Sequence, residues 1–385
     1  MGSFVFNTSR SIQFGAGALS RLGETARSVV GQRILLVTDP GLRWTGIVDR
    51  ALGALSQAGI EVTLFSDVEA DPPEAIILRA VAIAQDAEIQ GVIGLGGGSS
   101  LDVAKLVALL AVGVETLQSV YGVGKAKGPR LPLILVPTTA GTGSEVTPIS
   151  IVTTGASEKM GVVSPVLLPD VAILDPELTY GLPAHITAAT GIDAMVHAIE
   201  AFASANPNNN PLSRMLAVQA LQLMAPAILT AVHHGTDAKA RGDMLLGSML
   251  AGQAFANSPV AAVHALAYPL GGHFHIPHGL SNALVLPHVL RFNALTVPGP
   301  YIELAPHMFP SLGRLEGQER AAAFCEALEQ LSRDCGLPQR LRDMDIGEDW
   351  LPRLAHDAMN QTRLLVNNPR TITEADALAI YRAAY

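Results

Sequence analysis

The sequence predicts an α/β unit followed by an all-helical one, with the boundary near residue 184. Three observations carry this. Short apolar runs alternate with helix-period segments through the first half, the pattern of a parallel sheet covered by helices on both faces. Two of those runs end in loops of glycine and small hydroxyl residues. Beyond Leu182-Pro183 the strand-like runs stop, and long Ala/Leu/Met-rich segments with apolar helical faces take over. The predicted domains are therefore 1–183 and 184–385.

In chain order, Arg33-Ile34-Leu35-Leu36-Val37-Thr38 is a buried strand that stops at Asp39-Pro40-Gly41. A helix is expected over 44–58, a second strand over 61–65, a helix over 74–87 and a third strand over 91–95. The third strand enters Gly96-Gly97-Gly98-Ser99-Ser100-Leu101-Asp102-Val103-Ala104-Lys105. Glycines there let the backbone approach an anion, and Ser99 with Asp102 has the spacing of a capping box for the next helix. A loop of this kind can also be a plain strand-to-helix turn, and the run is not a GxGxxG fingerprint. A further strand, 133–136, leads into Pro137-Thr138-Thr139-Ala140-Gly141-Thr142-Gly143-Ser144-Glu145. Two donor-rich loops at the carboxyl ends of strands of one sheet predict a dinucleotide site.

In the second half, helices are expected over 187–204, 211–232, 238–257 and 317–335. Asp193 and His197 stand four residues apart in the first of them, so a helix presents both on one face. Four of the eleven histidines fall between Val263 and Gly279, with His264 and His278 placed to come from a helix and the bend after it. Imidazole and carboxylate in apolar surroundings are the donors of a divalent cation site. Asp193, His197, His264 and His278 are thus predicted to meet around one metal. Three neutral imidazoles and one carboxylate would leave a divalent ion with one net positive charge and room for an open position. Fe²⁺ fits this donor set, and so does Zn²⁺. His185, His233, His234, His288, His307 and His356 have no such pattern.

Composition narrows the function classes. Acidic residues outnumber basic ones to give a net charge of −9, and no Lys/Arg run occurs, so nucleic acid and anionic membrane are not expected partners. The start, MGSFVFNTSRSIQFG, lacks the charged and apolar regions of a signal peptide, and no unbroken apolar run reaches the length of a membrane span. The two cysteines, Cys325 and Cys335, lie apart from the histidines and fit a reducing cytoplasm. The apolar segment Phe4-Val5-Phe6 is read as a strand that can contribute to an interface between subunits.

GGGSSLDVAK, PTTAGTGSEVT, GIDAMVHAIEAF and HALAYPLGG…PHG occur here in one order, and together they resemble the iron-containing (group III) alcohol dehydrogenases over nearly the whole chain. The resemblance implies a dehydroquinate-synthase-like nucleotide-binding domain, a helical metal-binding domain, and oxidation of a small alcohol by hydride transfer to NAD. It places Gly97, Gly98 and Ser99 at the pyrophosphate, Asp102 towards the nicotinamide, and Thr138, Thr139 and Thr142 at phosphate and ribose. Lys159 matches a lysine near the nicotinamide ribose. Asp39 matches a position at the adenosine ribose, where a carboxylate favours NAD over NADP. Ile149 and Phe255 match residues lining a substrate pocket, and both are apolar, as a small aliphatic alcohol or aldehyde requires. The four predicted metal ligands fall at the family's ligand positions, and the family's habit implies a homodimer or larger homo-oligomer.

One position departs from the pattern. Members usually carry a histidine four residues after the third ligand, where this chain has Tyr268. A phenol, with an ordinary pKa of about 10, is a poorer proton carrier at neutral pH than imidazole. Tyr268 and His273 are therefore the relay candidates, with proton exit through the nicotinamide ribose hydroxyl as an alternative. Branches resembling maleylacetate reductases or hydroxyacid–oxoacid transhydrogenases are the rival enzymes, and a catalytically silent nucleotide- or metal-binding protein is the rival outside catalysis.

Overall fold

The computed structural model describes residues 2–155 and 158–385. The chain divides into two compact units. One comprises Asn7–Gly181; the other comprises Leu182–Tyr385 and takes in the short segment ending at Phe6. Relative to the expected 1–183 and 184–385, the N-terminal residues change sides. Phe4-Val5-Phe6 forms no strand. Instead Val5 donates its N–H to Asn208 Oδ1 (2.8 Å), and Asn208 Nδ2 donates back to the Val5 carbonyl (2.9 Å). A side-chain amide thus satisfies both backbone groups that a neighbouring strand would otherwise take.

The first unit is built on strands β1 (Ser11–Phe14), β2 (Arg33–Val37), β3 (Glu61–Phe65), β4 (Gly91–Gly96), β5 (Gly122–Val123), β6 (Leu133–Pro137), β7 (Ile149–Thr154), β8 (Glu158–Val163) and β9 (Val171–Leu174). Its helices are α1 (Leu22–Val29), α2 (Ile47–Gln57), α3 (Glu74–Asp86), α4 (Gly98–Leu110) and the single turn α5 (Leu117–Val120). Six strands form a parallel sheet in the order β1-β9-β6-β4-β2-β3. Alternate residues face opposite ways. Leu35, Val37, Val92, Leu133 and Leu135 pack with residues of α3 and α4, while Ile34, Leu36, Ile93, Leu95, Ile134 and Val136 pack with those of α1 and α2. Burial on both faces explains why these strands read as unbroken apolar runs. From β2 the chain moves to β3 on one side and returns to β4 on the other, so the order reverses between β2 and β4. Ligands of such sheets bind outside the carboxyl ends at that reversal. A smaller sheet, β5-β8-β7, stands beside the six-stranded one in sequence as a hairpin, β7–β8, with β5 added in parallel.

The second unit is helical: α6 (Ala184–Ala203), α7 (Pro211–His233), α8 (Ala238–Asn257), α9 (Ala262–Phe274), α10 (His278–Ala294), α11 (Gly299–Met308), α12 (Gly317–Asp334), α13 (Leu351–Ala358), α14 (Thr362–Leu365) and α15 (Glu374–Ala384). α6 is buried over most of its surface, and α7, α8 and α10 pack on it. Asn210 caps α7 through a capping box with Ser213, Asp237 caps α8, and Thr373 with Asp376 closes a capping box on α15. By length and composition α7 could cross a membrane, with mean hydropathy 1.8 over its most apolar window. Reading unbroken apolar runs missed this, because Arg214, Gln219 and Gln222 interrupt it. Its inner face, from Ala217 through Leu221, Met224 and Ile228 to Val232, is buried in the helical core.

Candidate metal centre

Asp193, His197 and Glu200 lie on one face of α6, at successive turns. The facing elements supply the remaining donors. His264 sits in the first turn of α9, and His278 is the first residue of α10, not part of a bend. The turn between them is made by His275, whose φ of 55° ends α9 in the left-handed conformation, followed by Pro277. Gly279 then lets α10 close on α6: a Cβ there would lie 2.5 Å from the Ala189 carbonyl oxygen and 3.2 Å from Asp193 Cβ. Any side chain at 279 would push His278 away from Asp193.

These elements bring one donor atom each of Asp193, His197, His264 and His278 to within 4.8 Å of one another. Asp193 Oδ1 is 4.0 Å from His264 Nε2 and 3.8 Å from His278 Nε2. The rings of His197 and His264 stack with centroids 4.8 Å apart, and His264 and His278 are 5.3 Å apart. Metal–donor bonds of about 2.0–2.2 Å put the donors of one ion roughly 3–4 Å from one another, so small side-chain rotations complete the set. Asp193, His197 and His264 are buried and His278 is open to solvent, an arrangement that holds an ion on one side and admits a ligand on the other.

The residues fit a cation on a second count. His264 Nε2 is buried without a hydrogen-bond partner among the described residues. The other ring nitrogen, Nδ1, is 2.7 Å from Glu200 Oε2, and a carboxylate can only accept, so Nδ1 carries the proton and Nε2 presents a lone pair. An orphaned acceptor in the core is costly unless something else engages it. Glu200 also accepts from Ala261 N (3.0 Å) and Val263 N (2.7 Å). One carboxylate therefore fixes the tautomer of His264 and satisfies N–H groups at the start of α9, which has no cap from its own sequence. Sequence reading missed Glu200, although its spacing of three residues from His197 was the available signal. Its presence changes the charge count: two carboxylates and a divalent ion sum to zero, not the single positive charge expected from the four ligands alone.

Burial by itself would push the Asp193 carboxyl up. Without a cation, protonation of the His197, His278 and His264 rings, with a hydrogen bond from Asn282, outweighs it and holds the group below the ordinary carboxylate range; a cation held by the neutral rings would act in the same sense. Phe255 stacks on His197 at 4.4 Å and forms an apolar wall against this ligand. Tyr268 lies beside His278, with centroids 5.8 Å apart. His273 is turned to Asp357 Oδ2, 2.8 Å away, and to Trp350, so the structure gives it partners other than the four ligands.

In the first unit the predicted nucleotide residues gather at the reversal of the sheet. Asp39 follows β2, and its Oδ2 accepts from Ser100 Oγ at 3.5 Å. Gly97 and Gly98 follow β4, and Thr138, Thr139 and Thr142 follow β6. Thr138 N donates to the Gly96 carbonyl (3.0 Å). A Cβ on Gly98 would lie 2.8 Å from Thr142 Cγ2, so glycine there is what lets the two loops meet. The capping box expected at Ser99 does not form: α4 starts at Gly98, with Gly97 as its uncapped N-cap, leaving Ser99 inside the first turn. Asp102 is drawn elsewhere. Its Oδ1 accepts from Ser144 Oγ (2.6 Å), and its Oδ2 from Ile151 N (2.9 Å). Lys105, fully buried, joins them by donating to Ser144 Oγ (2.7 Å), Thr147 Oγ1 (3.3 Å) and the Ile149 carbonyl (2.6 Å). Burial lowers the Lys105 pKa, with Asp102 and Glu145 opposing. Ile149 is thus half-buried on β7 and bound through its backbone. Lys159 pairs with Asp71 Oδ1 (2.5 Å) and Thr153 Oγ1 (3.1 Å) on the β7–β8 hairpin.

Comparison with known proteins bears on both units. The sequence profile of the iron-containing alcohol dehydrogenases matches residues 9–176, and that of the family's C-terminal domain matches residues 187–385. Long-chain-alcohol dehydrogenase 1 of Geobacillus thermodenitrificans (strain NG80-2) is 43% identical over 374 residues, covering 96% of this chain and 94% of that protein. The crystal structure of a 1,3-propanediol oxidoreductase superposes with a TM-score of 0.96 at 37% identity, covering both chains fully (100% and 100%). A sulfoacetaldehyde reductase from Bifidobacterium kashiwanohense, solved in complex with NAD+, superposes with a TM-score of 0.88 at 29% identity, covering 100% of this chain and 99% of that one. With both units matched and the donor cluster in place, the chain belongs to the iron-containing alcohol dehydrogenase family.

Proposed function

We propose that this alcohol dehydrogenase interconverts a small aliphatic alcohol and its aldehyde or ketone with NAD(H), using a divalent cation held by Asp193, His197, His264 and His278. The observation that carries the reading is the convergence of these donor atoms with the buried, unpartnered Nε2 of His264. A cation bound there supplies Lewis acidity towards the substrate oxygen, and nicotinamide supplies the hydride acceptor. The chain's residues do the rest. Glu200 keeps the His264 lone pair pointed into the cluster. Phe255 offers an apolar surface to an alkyl chain and excludes water from one side of His197. In the other unit Gly97, Gly98 and Ser99 open α4 with free N–H groups for a pyrophosphate. Thr138, Thr139 and Thr142 offer hydroxyls beside them, and Asp39 offers a carboxylate to a ribose. Asp102, Ser144 and Lys105 brace that loop. Lys159 is proposed to serve the nicotinamide ribose, and Ile149 the substrate pocket. Of the two relay candidates, Tyr268 stands beside a proposed ligand, and His273 is already committed to Asp357.

A homodimer or larger assembly and a cytoplasmic location complete the proposal. Burial pushes both cysteine thiols up to about 12, which suits thiols with no redox role. The test is elemental analysis of gently purified protein together with NADH oxidation by short-chain aldehydes, repeated on His264→Ala. About one Fe or Zn per chain, with turnover lost in the variant, is the expected result. Full turnover in metal-free protein would overturn the four-ligand reading.

A further inference from the structure

Asn282 lies on α10 one turn after His278, on the same face, and its side chain is wholly buried. Its amide nitrogen donates to Asp193 Oδ1 at 2.5 Å and lies 3.3 Å from His278 Nε2. Both acceptors belong to the cluster of proposed metal ligands, and they are held 3.8 Å apart. At the other end of the amide, Oδ1 is buried with no partner among the described residues. An apolar residue of the same shape would avoid that orphan. The satisfied end is the one aimed at the ligands.

We propose that Asn282 is a positioning residue for the metal: its –NH₂ group holds the Asp193 carboxylate and the His278 ring converged on one point before a cation arrives. The chemistry suits the task. Asp193 is a buried anion that needs a donor, and the second proton on the same nitrogen can reach His278 Nε2 in the tautomer that leaves it unprotonated, until a cation takes that lone pair. Because the amide is neutral, it orients the carboxylate without adding a positive charge that would repel the cation, as a lysine at this position would. Convergence set in advance lowers the ordering cost of binding. The inference rests on the metal reading above.

The experiment measures zinc binding to full-length metal-free protein by competition with a chromophoric chelator, in wild type, Asn282→Leu, Asp193→Ala and the double variant. Leu keeps the branched shape of Asn and removes the unpartnered Oδ1, but it also takes the donor from a buried carboxylate, so the metal-free variant is expected to unfold at a somewhat lower temperature than wild type. The expected result is about a tenfold to hundredfold loss of zinc affinity in Asn282→Leu, the range found when groups that orient ligands are removed. In the Asp193→Ala background, which keeps three imidazoles, the same substitution should cost clearly less, because only the His278 ring is left for it to orient. Wild-type affinity in Asn282→Leu, or an equal loss in both backgrounds, would overturn the proposal while leaving the metal reading intact. Wild-type protein that takes up neither zinc nor iron would overturn the metal reading and this inference with it. Should Asn282→Leu not fold, Asn282→Ala is read by the same two comparisons.

Discussion

Glu200→Gln tests the centre's main support. The native carboxylate takes bonds from three donors, His264 Nδ1, Ala261 N and Val263 N, at 2.7, 3.0 and 2.7 Å. Gln has the same length but one acceptor oxygen. Placed where Oε2 stands, that oxygen can keep His264 and Ala261, which leaves an NH₂ group facing the N–H of Val263. Two buried donors then oppose each other, at a cost of about 1–3 kcal/mol. For a helical unit of this size, that lowers the unfolding midpoint by roughly 2–4 °C per kcal/mol. Loss of the negative charge also weakens the His264 lone pair as a ligand, so metal affinity should fall about tenfold to hundredfold. The assay is calorimetric unfolding of metal-free protein, followed by chelator competition for zinc. Both shifts are expected together. A variant with wild-type midpoint and wild-type zinc affinity would refute the idea that this carboxylate organises the site.

The remaining predictions cover the relay, the nucleotide loop and a buried charge. Tyr268→Phe keeps the ring against His278 and removes the phenol; turnover should fall about tenfold or more if the phenol carries the proton. His273→Ala should leave turnover within about twofold, since Asp357 already engages that ring. A large loss in the second variant with none in the first would reverse the assignment. Gly98→Ala puts a Cβ 2.8 Å from Thr142 Cγ2, which should raise the KM for NAD while zinc affinity stays at the wild-type value. Unchanged nucleotide kinetics would count against these loops as the cofactor site. Glu145 is fully buried, and desolvation pushes its carboxyl up from 4.5 to about 7. The folded protein then holds a proton there that the unfolded chain releases. The stability this group contributes is full below pH 4.5 and is lost as pH rises through 7, an effect of up to roughly 3 kcal/mol. Glu145→Gln should flatten that part of the stability–pH curve, read by unfolding at pH 5 and pH 8, and an unchanged slope would show that another group sets it.

Much of this architecture was legible because local periodicity and function point the same way. Leu35 and Ile34 face opposite sides of one sheet, and an unbroken apolar run is what burial on both faces requires. Asp193 and His197 could be paired from spacing alone, because a helix puts residues four apart on one face. His264 and His278 were legible as donors but not as placed: the chain ends one helix at His275 and begins another at His278, and no periodicity marks a break that a single left-handed residue makes. Helices α11, α13 and α15 are too short for periodicity to mark them, since few turns fall within each from which to read a face.

What stayed hidden shares one cause. Glu200 and Asn282 each stand one turn from a proposed ligand, but the groups they bind lie 64 and 89 residues away, so that spacing alone does not show their role. Each also resembles an ordinary residue for its position: a glutamate on a long helix, an asparagine one turn after a histidine. Asp102 shows the same limit from the other direction. Its spacing from Ser99 predicts a capping box, yet α4 begins one residue before Ser99, and the carboxylate binds Ser144 and Ile151 across the loop. A local rule failed because tertiary donors were closer to hand. Ligands of a cation must converge and so recur at helical spacings, whereas the groups that orient them need only come within reach of one side chain. That difference makes the inner donors readable from sequence and leaves the outer ones to the structure.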